Sequence, residues 1–531
     1  MAKKTTLPYL LLILAWAIWR IVVLVHTGLP QPAIHDEFSY LLGADTFAHG
    51  RLANPQHPLS SFFESPHELV RPSYVSMYPP GQAMFLALGQ VLFGAPFYGV
   101  LISNVFMLSA FCLMLAVWVP LRAGIVAAAF FAWTLSPAMY WTDSYWGGSV
   151  AAGGAALVVL AVGLFRQRPT LLPGALFAAG VLLLFWTRPY EGGVFTLAVL
   201  VAFARDIWRN RRRATLAVAL AVLAAGAAWT CCYNKAVTGN PLLMPYVVHQ
   251  RQYDVAPRFW FLPLAPEPQY SHPRLAAQHG SNGYEVAEYR KRLQWPWWQR
   301  PLVRASWMLW TLEFGLLCAL TIAFLIPLAW RDPVFRRMAA VAFVFLAALS
   351  LESFAHEHYT APGWPAAALI LGLWTEYAWR RKIFKKPLGI LLGALLLLLF
   401  GDLAIWSAYG QYRLFKSGRS VQQQYAWSYR RAALIRSLSA LDRSQLVIVR
   451  YPSPDWKVGQ EWVYNSAEID RQRVVFAHDL GAEQDRALLD YYPDRAALLL
   501  TFDPVTGKEK LEPYPRDTSG NPASASPSPA H

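Results

Sequence analysis

The stretch LPYLLLILAWAIWRIVVLVH (residues 7–26) is almost entirely apolar. A helix crosses the hydrocarbon of a membrane in about 20 residues, so this stretch is long enough to span it. It is followed by IHDEFSYLLGADTFAHGRLANPQHP (34–58), which places the adjacent carboxylates Asp36 and Glu37 beside His35, where the span should end. Lysines precede the apolar stretch as in a signal peptide, but no small-residue cleavage site follows it. We therefore predict a retained first transmembrane helix with an acidic loop after it.

The composition combines hydrophobicity with basicity, because 55% of the 531 residues are hydrophobic while the formal net charge is +15. This combination is typical of a polytopic membrane protein. The basic residues occur in short clusters between long apolar runs, whereas a nucleic-acid-binding protein would carry them on polar helices or loops. We therefore expect membrane lipids, and no nucleic acid, among the partners.

Apolar segments of spanning length recur along the first three quarters of the chain, and we predict about eleven transmembrane helices. They lie at 7–26, 97–118, 122–141, 148–165, 171–187, 193–205, 214–232, 305–329, 336–352, 361–379 and 387–408. The segment QAMFLALGQVLFG (82–94) is short and follows two prolines, so we assign it to an interfacial helix on the membrane surface.

The positions of the basic loops predict the orientation of the chain in the membrane. If 82–94 does not span, the short loops rich in arginine and lysine all share the side of the N-terminus, which is the positive-inside pattern. These loops contain Arg122, Arg166 and Arg168, RDIWRNRRR (205–213), RDPVFRR (331–337) and RRKIFKK (380–386). We predict an integral membrane protein of a bacterial inner membrane, with its N-terminus in the cytoplasm.

The remaining polar loops then face the periplasm. They are the first loop (27–96), the large loop (233–303), TDSYWGGS (142–149), TRPYEGG (187–193) and HEHYTAPGWP (356–365). These loops are rich in Asp, Glu, His, Tyr and Trp, which are the residues used for acid–base chemistry and for stacking on sugars. We predict an active site on the extracytoplasmic face.

The substrate of such a site must arrive through the membrane, because ATP and nucleotide sugars are cytoplasmic. The sequence contains neither a G-x-x-x-x-G-K-[ST] loop nor a strand-bound G-x-G-x-x-G motif. A polyprenyl-phosphate sugar fits these requirements, since its lipid can lie between helices while arginine or a metal binds its phosphate. Cysteines contribute nothing to this chemistry, because the four in the chain have no metal-ligand spacing.

Several stretches resemble the GT-C glycosyltransferases of the protein mannosyltransferase and aminoarabinose transferase type. They are HDEFSYLLGADTFAHGRL (35–52), YPPGQAMFLALGQVLFG (78–94), YWTDSYWGG (140–148) and HYTAPGWPAAALILG (358–372). The resemblance covers roughly residues 7 to 375 and is specific in the order and sidedness of the motifs. It implies a glycosyltransferase that moves a sugar from a polyprenyl-phosphate donor to an acceptor that the sequence does not identify.

The resemblance also implies roles for individual residues. Asp36 is the expected catalytic base, Glu37 positions it or binds a metal, and Asp143 is a supporting acid across the same cavity. A positive charge is needed for departure of the phosphate, and Arg188 is the first candidate. Relatives often carry a lysine before the paired prolines, where this chain has Tyr78. Other candidates for binding the phosphate are Arg71, Arg251 and Arg258.

Further residues are expected to line the substrate cavity, namely His35, Tyr78, Tyr145, Trp146, His358 and Tyr359. Other interpretations remain open: Asp143 as a helix N-cap, Arg188 as a snorkelling interfacial residue, and the aromatic residues as a membrane-interface belt. A divalent metal ion is one possible cofactor. Its candidate ligands are Glu37, His356 and His358, the two histidines pointing the same way in an extended segment.

The composition changes after the last predicted span. We divide the chain into a transmembrane catalytic module (1–408), a small α/β extracytoplasmic domain (409–514) and a disordered tail rich in proline, serine and alanine (515–531). Strands are predicted at 445–451, 473–479 and 496–503, and a helix at 482–492.

Two other classes of protein compete with the transferase. A transporter or lipid flippase would also have many spans, but it should carry polar groups at mid-membrane, whereas this chain gathers them at one surface. A non-catalytic envelope assembly protein would use the same spans with dispensable acids. Substitution of Asp36 by Asn separates the three classes, because only a transferase loses turnover while keeping its fold and donor binding.

Overall fold

A computed structural model describes residues 6–134, 140–167, 170–210, 212–296, 298–300, 302, 330–354, 356–380, 382–383, 386–387, 426–453 and 460–515. The predicted span 305–329 lies outside the described residues, as does all of the predicted span 387–408 except its first residue. Each of the other predicted spans overlaps a helix over its described residues.

The long apolar helices form a bundle. Among the described residues, four helices are long and apolar enough to cross a membrane: α1 (Leu7–Thr27), α4 (Phe97–Trp118), α6 (Gly148–Gln167) and α9 (Arg213–Thr238). The other helices of the bundle are α5 (Leu121–Thr134), α7 (Leu172–Phe185), α8 (Pro189–Asn210), α13 (Pro333–Leu349) and α14 (Trp364–Arg380). A short hairpin of β4 (Lys382–Ile383) and β5 (Lys386–Pro387) follows α14.

Helix α6 lies at the centre of this bundle and is buried along almost its whole length. Its small residues make this possible, because a Cβ added at Gly154 would come within 3.1 Å of the Gly180 carbonyl oxygen of α7. Small residues allow membrane helices to approach closely, where dispersion and packing replace the hydrophobic effect as the source of association. By contrast, α1 and α9 expose most of their apolar side chains.

The first loop folds into a small layer of its own. It contains α2 (His35–Ala48), a sheet in the order β1 (Asn54–Pro55), β3 (Ser73–Ser76), β2 (Glu68–Leu69), and α3 (Gly81–Phe93). A 3₁₀ helix at Ser60–Phe63 lies between β1 and β2. The helix α3 corresponds to the predicted interfacial helix and has 13 residues, which at about 1.5 Å per residue is too short to cross a bilayer.

The large loop carries three short helices, α10 (Pro245–Tyr253), α11 (Pro273–His279) and α12 (Tyr284–Leu293). The first two begin at a proline, whose fixed φ suits the first helical position. Another 3₁₀ helix, at Glu357–Gly363, leads into α14. This corrects the extended conformation predicted around His356 and His358, because the 3₁₀ hydrogen bonding begins at residue 357.

The C-terminal part contains a four-stranded sheet. Its elements are α15 (Ala426–Ser439), β6 (Gln445–Arg450), β7 (Val474–His478), α16 (Ala482–Tyr491), β8 (Ala496–Asp503) and β9 (Lys508–Pro513). The strand order is β7-β6-β8-β9, with β6 parallel to β7 and β8, and β9 antiparallel to β8. The three predicted strands and the helix are present, and β9 was not predicted.

The C-terminal sheet packs directly on the first loop. Leu42, Phe62 and Phe63 of the first loop share a buried apolar cluster with Leu446 and Ile448 of β6. A second cluster places Phe38 of α2 against residues of α15 and the sheet. Each Å² of apolar area that these clusters remove from water stabilises the contact between the C-terminal sheet and the first loop by about 25 cal/mol. Packing against the C-terminal sheet therefore holds the helix α2 in place.

Candidate active site

A cavity of about 600 Å³ opens where the first loop, the large loop and the loops after α7 and α13 meet. Its volume lies within the range of small-molecule binding sites, about 300–1,000 Å³. The charged and polar side chains that line it include Asp36, His67, Tyr78, Arg188, Tyr190, Tyr246, His249, Asp254, Arg258, Glu285, His356 and Tyr359.

Asp36 lies in the first turn of α2, where the helix dipole favours a negative charge. It accepts a hydrogen bond from the Tyr78 hydroxyl, and its Oδ2 lies 3.6 Å from His67 Nδ1. Burial alone would raise the pKa of Asp36. The charge of His67 and the hydrogen bonds from His67 and Tyr78 outweigh burial, so the pKa of this carboxyl lies well below its usual range. Asp36 is therefore ionised and faces the cavity.

His67 is a residue of the site that the sequence analysis missed. Its φ of 66° is in the left-handed region, which is uncommon for a residue other than glycine. The Ser39 hydroxyl donates to the His67 carbonyl at 2.6 Å and the Met77 amide donates to it at 3.2 Å, which holds this conformation. Burial lowers the pKa of His67, but Asp36 and Glu285 raise it to about 10. The ring is thus a cation between two carboxylates.

Glu37 is buried and does not line the cavity. Its carboxylate accepts hydrogen bonds from the backbone amides of Ala33 at 2.8 Å and Tyr145 at 3.1 Å. Burial raises the pKa of Glu37 to about 7, against the effect of these hydrogen bonds. The carboxylate therefore connects the start of α2 to the turn before α6.

Asp143 lies in that turn and does not line the cavity. Arg20 of α1 donates to Asp143 Oδ1 at 2.9 Å and to the Thr142 carbonyl at 3.2 Å. Burial raises the pKa of Asp143, and the charge of Arg20 opposes this. Tyr145 is also outside the lining and donates to the Pro30 carbonyl at 2.9 Å. The structure thus places Asp143 in an ion pair between α1 and the turn.

Two arginines contribute positive charge to the cavity. Arg188, in the turn between α7 and α8, lies 3.6 Å from Glu191 and stacks its guanidinium 4.6 Å from the centre of the Tyr359 ring. Arg258 stacks 4.2 Å from the centre of the Tyr246 ring. Arginine combines stacking on aromatic faces with a planar set of donors that suits oxyanions.

The other predicted phosphate ligands lie elsewhere. Arg71 donates to Glu64 at 2.9 Å, and Arg251 is exposed on α10. Neither lines the cavity. The large loop folds back so that Arg258, seven residues after Arg251, reaches the cavity instead.

The predicted histidine and aromatic positions are distributed around the cavity wall. His35 lines the cavity, and its Nδ1 lies 2.5 Å from the Tyr464 hydroxyl of the C-terminal part. Trp146 lines it as well, with its ring 4.6 Å from that of His358, which is buried behind the lining. His356 and His358 stack at 5.6 Å, so they do lie on one side, as predicted.

A group of side chains that could hold a metal ion is formed by His249, Asp254 and His279 of the large loop. The predicted ligands Glu37, His356 and His358 do not belong to it. Sequence spacing could not have identified this group, because its members are five and 25 residues apart and no short metal motif contains them.

Comparison with protein-family models and with curated proteins gives no match. Comparison with solved structures shows the fold: the chain is similar in fold to a solved GT-C glycosyltransferase, and the resemblance predicted from the sequence is confirmed as a likeness of fold. With its long apolar helices, it is an integral membrane protein.

The particular structures are as follows. ArnT from Cupriavidus metallidurans in the apo state has a TM-score of 0.50 at 13% identity, covering 93% of each chain. The same protein bound to undecaprenyl phosphate gives a TM-score of 0.49 at 13% identity, again covering 93% of each chain. The Archaeoglobus fulgidus oligosaccharyltransferase in the apo form gives 0.45 at 10% identity, covering 93% of this chain and 69% of that one.

Proposed function

We propose that the protein is a membrane glycosyltransferase that moves a sugar from a polyprenyl-phosphate donor to an acceptor on the extracytoplasmic face of a bacterial inner membrane. The observation that carries this proposal is one cavity with an ionised carboxylate, Asp36, and two stacked arginines, Arg188 and Arg258. A glycosyl transfer from a phosphate needs both, because the acceptor loses a proton while the leaving phosphate gains negative charge.

In the proposed step, an acceptor hydroxyl attacks the anomeric carbon of the donor sugar. The new carbon–oxygen bond forms as the bond to the phosphate oxygen breaks, and the electron pair of the broken bond goes to the phosphate. Arg188 and Arg258 stabilise the charge that develops there. The acceptor oxygen becomes strongly acidic as it bonds to carbon, so even a carboxylate of low pKa, Asp36, can take the proton.

The other two predicted acids receive positioning roles in this proposal. Glu37 holds the start of α2 through two backbone amides, and Asp143 is paired with Arg20 in the adjoining turn. Both therefore support the placement of Asp36 without facing the cavity. His67 and Tyr78 orient its carboxylate directly.

The lipid part of the donor is proposed by chemistry and by analogy. ArnT from Cupriavidus metallidurans, which shares the fold, has been solved bound to undecaprenyl phosphate. In this chain the cavity is lined by apolar residues as well as charged ones, among them Met77, Pro79, Met244, Val247 and Phe259. We propose that a polyprenyl chain enters beside them while its phosphate meets the arginines.

The test is transfer of radiolabelled sugar from a panel of polyprenyl-phosphate donors by the purified protein in nanodiscs. Transfer or donor hydrolysis by wild type supports the proposal. Donor binding without any turnover, together with movement of the lipid across the bilayer, would instead identify a flippase. An absence of binding to every polyprenyl-phosphate sugar would refute the proposal.

A further inference from the structure

The large loop brings four metal-ligating side chains to one place beside the cavity. His249 lies on α10, Asp254 directly follows it, His279 ends α11 and Glu285 is in the first turn of α12. Three separate helices therefore converge at this point. His249, Asp254 and Glu285 also contribute to the lining of the cavity.

The distances between the ligand atoms are those around a small cation. Asp254 Oδ1 lies 3.3 Å from His249 Nδ1 and 3.1 Å from His279 Nδ1, and Glu285 Oε2 also lies 3.1 Å from His279 Nδ1. Ligands about 2.0–2.2 Å from a tetrahedral ion are separated from one another by about 3.3–3.6 Å. Asp254 Oδ1 is close to this spacing from both histidines, and the ligand atoms of His249, Asp254 and His279 all lie within 4.8 Å of one another. Glu285 approaches the group from the His279 side.

Hydrogen bonding leaves several of these atoms unsatisfied. Among the described residues, His249 Nε2 and His279 Nε2 make no hydrogen bond, and Asp254 Oδ1 contacts the Nδ1 atoms of both histidines without hydrogen-bonding geometry. The His249 side chain is 2% exposed, so it is shielded from solvent. A buried polar atom that makes no hydrogen bond is energetically costly. A bound ion would explain why such atoms are retained here.

We propose that His249, Asp254, His279 and Glu285 bind a divalent transition-metal ion of the zinc type. Two imidazoles with two carboxylates suit such an ion better than Mg²⁺ or Ca²⁺, which prefer oxygen alone. Gln278 donates to the other oxygen of Glu285 at 2.9 Å, which is the kind of outer hydrogen bond that orients a metal ligand. This proposal does not rest on the transfer reaction.

The ion would also link the large loop to the first loop. Glu285 Oε1 lies 3.7 Å from His67 Nε2, and His67 Nδ1 lies 3.6 Å from Asp36 Oδ2. A ligand fixed by the ion therefore contacts the histidine that orients the proposed base. The ion acts here as a positioning element, at a distance from the reacting atoms.

The experiment uses the full-length protein in detergent, with its affinity tag removed and its metal stripped by a chelator. Calorimetric titration with Zn²⁺ should show a single equivalent bound per chain, and Co²⁺ should give the visible absorption bands of a low-coordinate site. We expect His249→Ala and His279→Ala to weaken Zn²⁺ binding by about 100-fold or more, since changes even in the outer hydrogen bonds of a metal ligand cost 10–100-fold.

The matched control is His272→Gln. His272 is a buried histidine of the same loop that stacks on His478 at 3.8 Å, outside the cluster. It should bind Zn²⁺ as wild type does. Asp254→Asn preserves side-chain shape and should weaken binding by at least about 10-fold, so it decides the question if the histidine variants fail to fold.

Failure to bind a stoichiometric ion would overturn the proposal, and so would cluster variants that bind Zn²⁺ as tightly as wild type. The transferase proposal fails independently. If the protein binds Zn²⁺ at this cluster but transfers no sugar, the metal-site proposal stands and the transferase proposal is refuted. If it transfers sugar without binding Zn²⁺, the transferase proposal stands and the metal-site proposal is refuted.

Discussion

Replacement of Asp36 by asparagine tests the proposed base with little change in shape. The Tyr78 hydroxyl retains an acceptor, while the charge opposite His67 is lost. General-base catalysis contributes about 10²–10⁴-fold to a rate, so we expect the transfer rate to fall by about 10³-fold, equivalent to about 4 kcal/mol in the activation free energy. Donor affinity should change by less than about threefold, because the phosphate is proposed to meet the arginines rather than Asp36.

The assay is single-turnover transfer from a radiolabelled polyprenyl-phosphate sugar in nanodiscs, with donor binding measured separately. Asp442→Asn is the matched control, since the same substitution there affects an exposed carboxylate in the C-terminal part. The unfolding midpoint of each variant establishes that the fold is kept. A folded Asp36→Asn protein that transfers sugar within about threefold of the wild-type rate would refute Asp36 as the base.

Four further substitutions test the site and its supports. Arg188→Lys keeps the charge but loses the planar fork, so donor binding should weaken about 10-fold in an equilibrium binding assay, and an unchanged affinity would remove Arg188 from phosphate recognition. Tyr464→Phe removes the hydroxyl that bonds a histidine of α2, and we expect a three- to tenfold lower turnover with little change in KM, whereas an equal change in both would argue against positioning. Burial raises the pKa of Glu37 to about 7, above its value in the unfolded chain. The stability of the wild-type protein should therefore decline as the pH rises from about 4.5 to about 7. Thermal melts of Glu37→Gln should lack this pH dependence. Arg20→Met should destabilise the fold by about 3–5 kcal/mol in denaturant titrations, and adding Asp143→Asn should recover most of the loss.

The helices of the bundle were predictable because long apolar runs with glycine or proline at their ends fix a helix without reference to distant residues. The predicted span 97–118 matches α4 at both ends, and 7–26 matches α1 to within a residue. The strand β9 escaped prediction because KEKLEP is a polar, largely exposed edge strand. Its backbone hydrogen bonds to β8 define it, and no apolar alternation marks it.

The site was predictable only in part, for a different physical reason. Asp36 and Arg188 follow directly from the ends of helices that the sequence locates, and both reach the cavity. His67, Arg258 and Glu285 reach it through the folding of two long loops, and residues some 200 positions apart meet there. The same folding pairs Arg71 with Glu64 and leaves Arg251 exposed, so the basic residues of these loops could not be ranked by sequence position.

The C-terminal sheet packs against the helix that carries Asp36. Helix α2 presents Asp36 to the cavity, and the opposite side of the same helix buries Phe38, which stacks on Tyr464 at 4.1 Å. Phe38 and Leu42 also belong to the apolar clusters that join the first loop to the sheet. A short helix of 14 residues with little apolar moment of its own would be marginal without such packing. Because a misplacement of about 1 Å in a catalytic group can cost about 100-fold in rate, the base that we propose on this helix would depend on a rigid support. In the proposed transferase the C-terminal sheet would supply that support, because it packs on the first loop and shares a buried apolar core with α2.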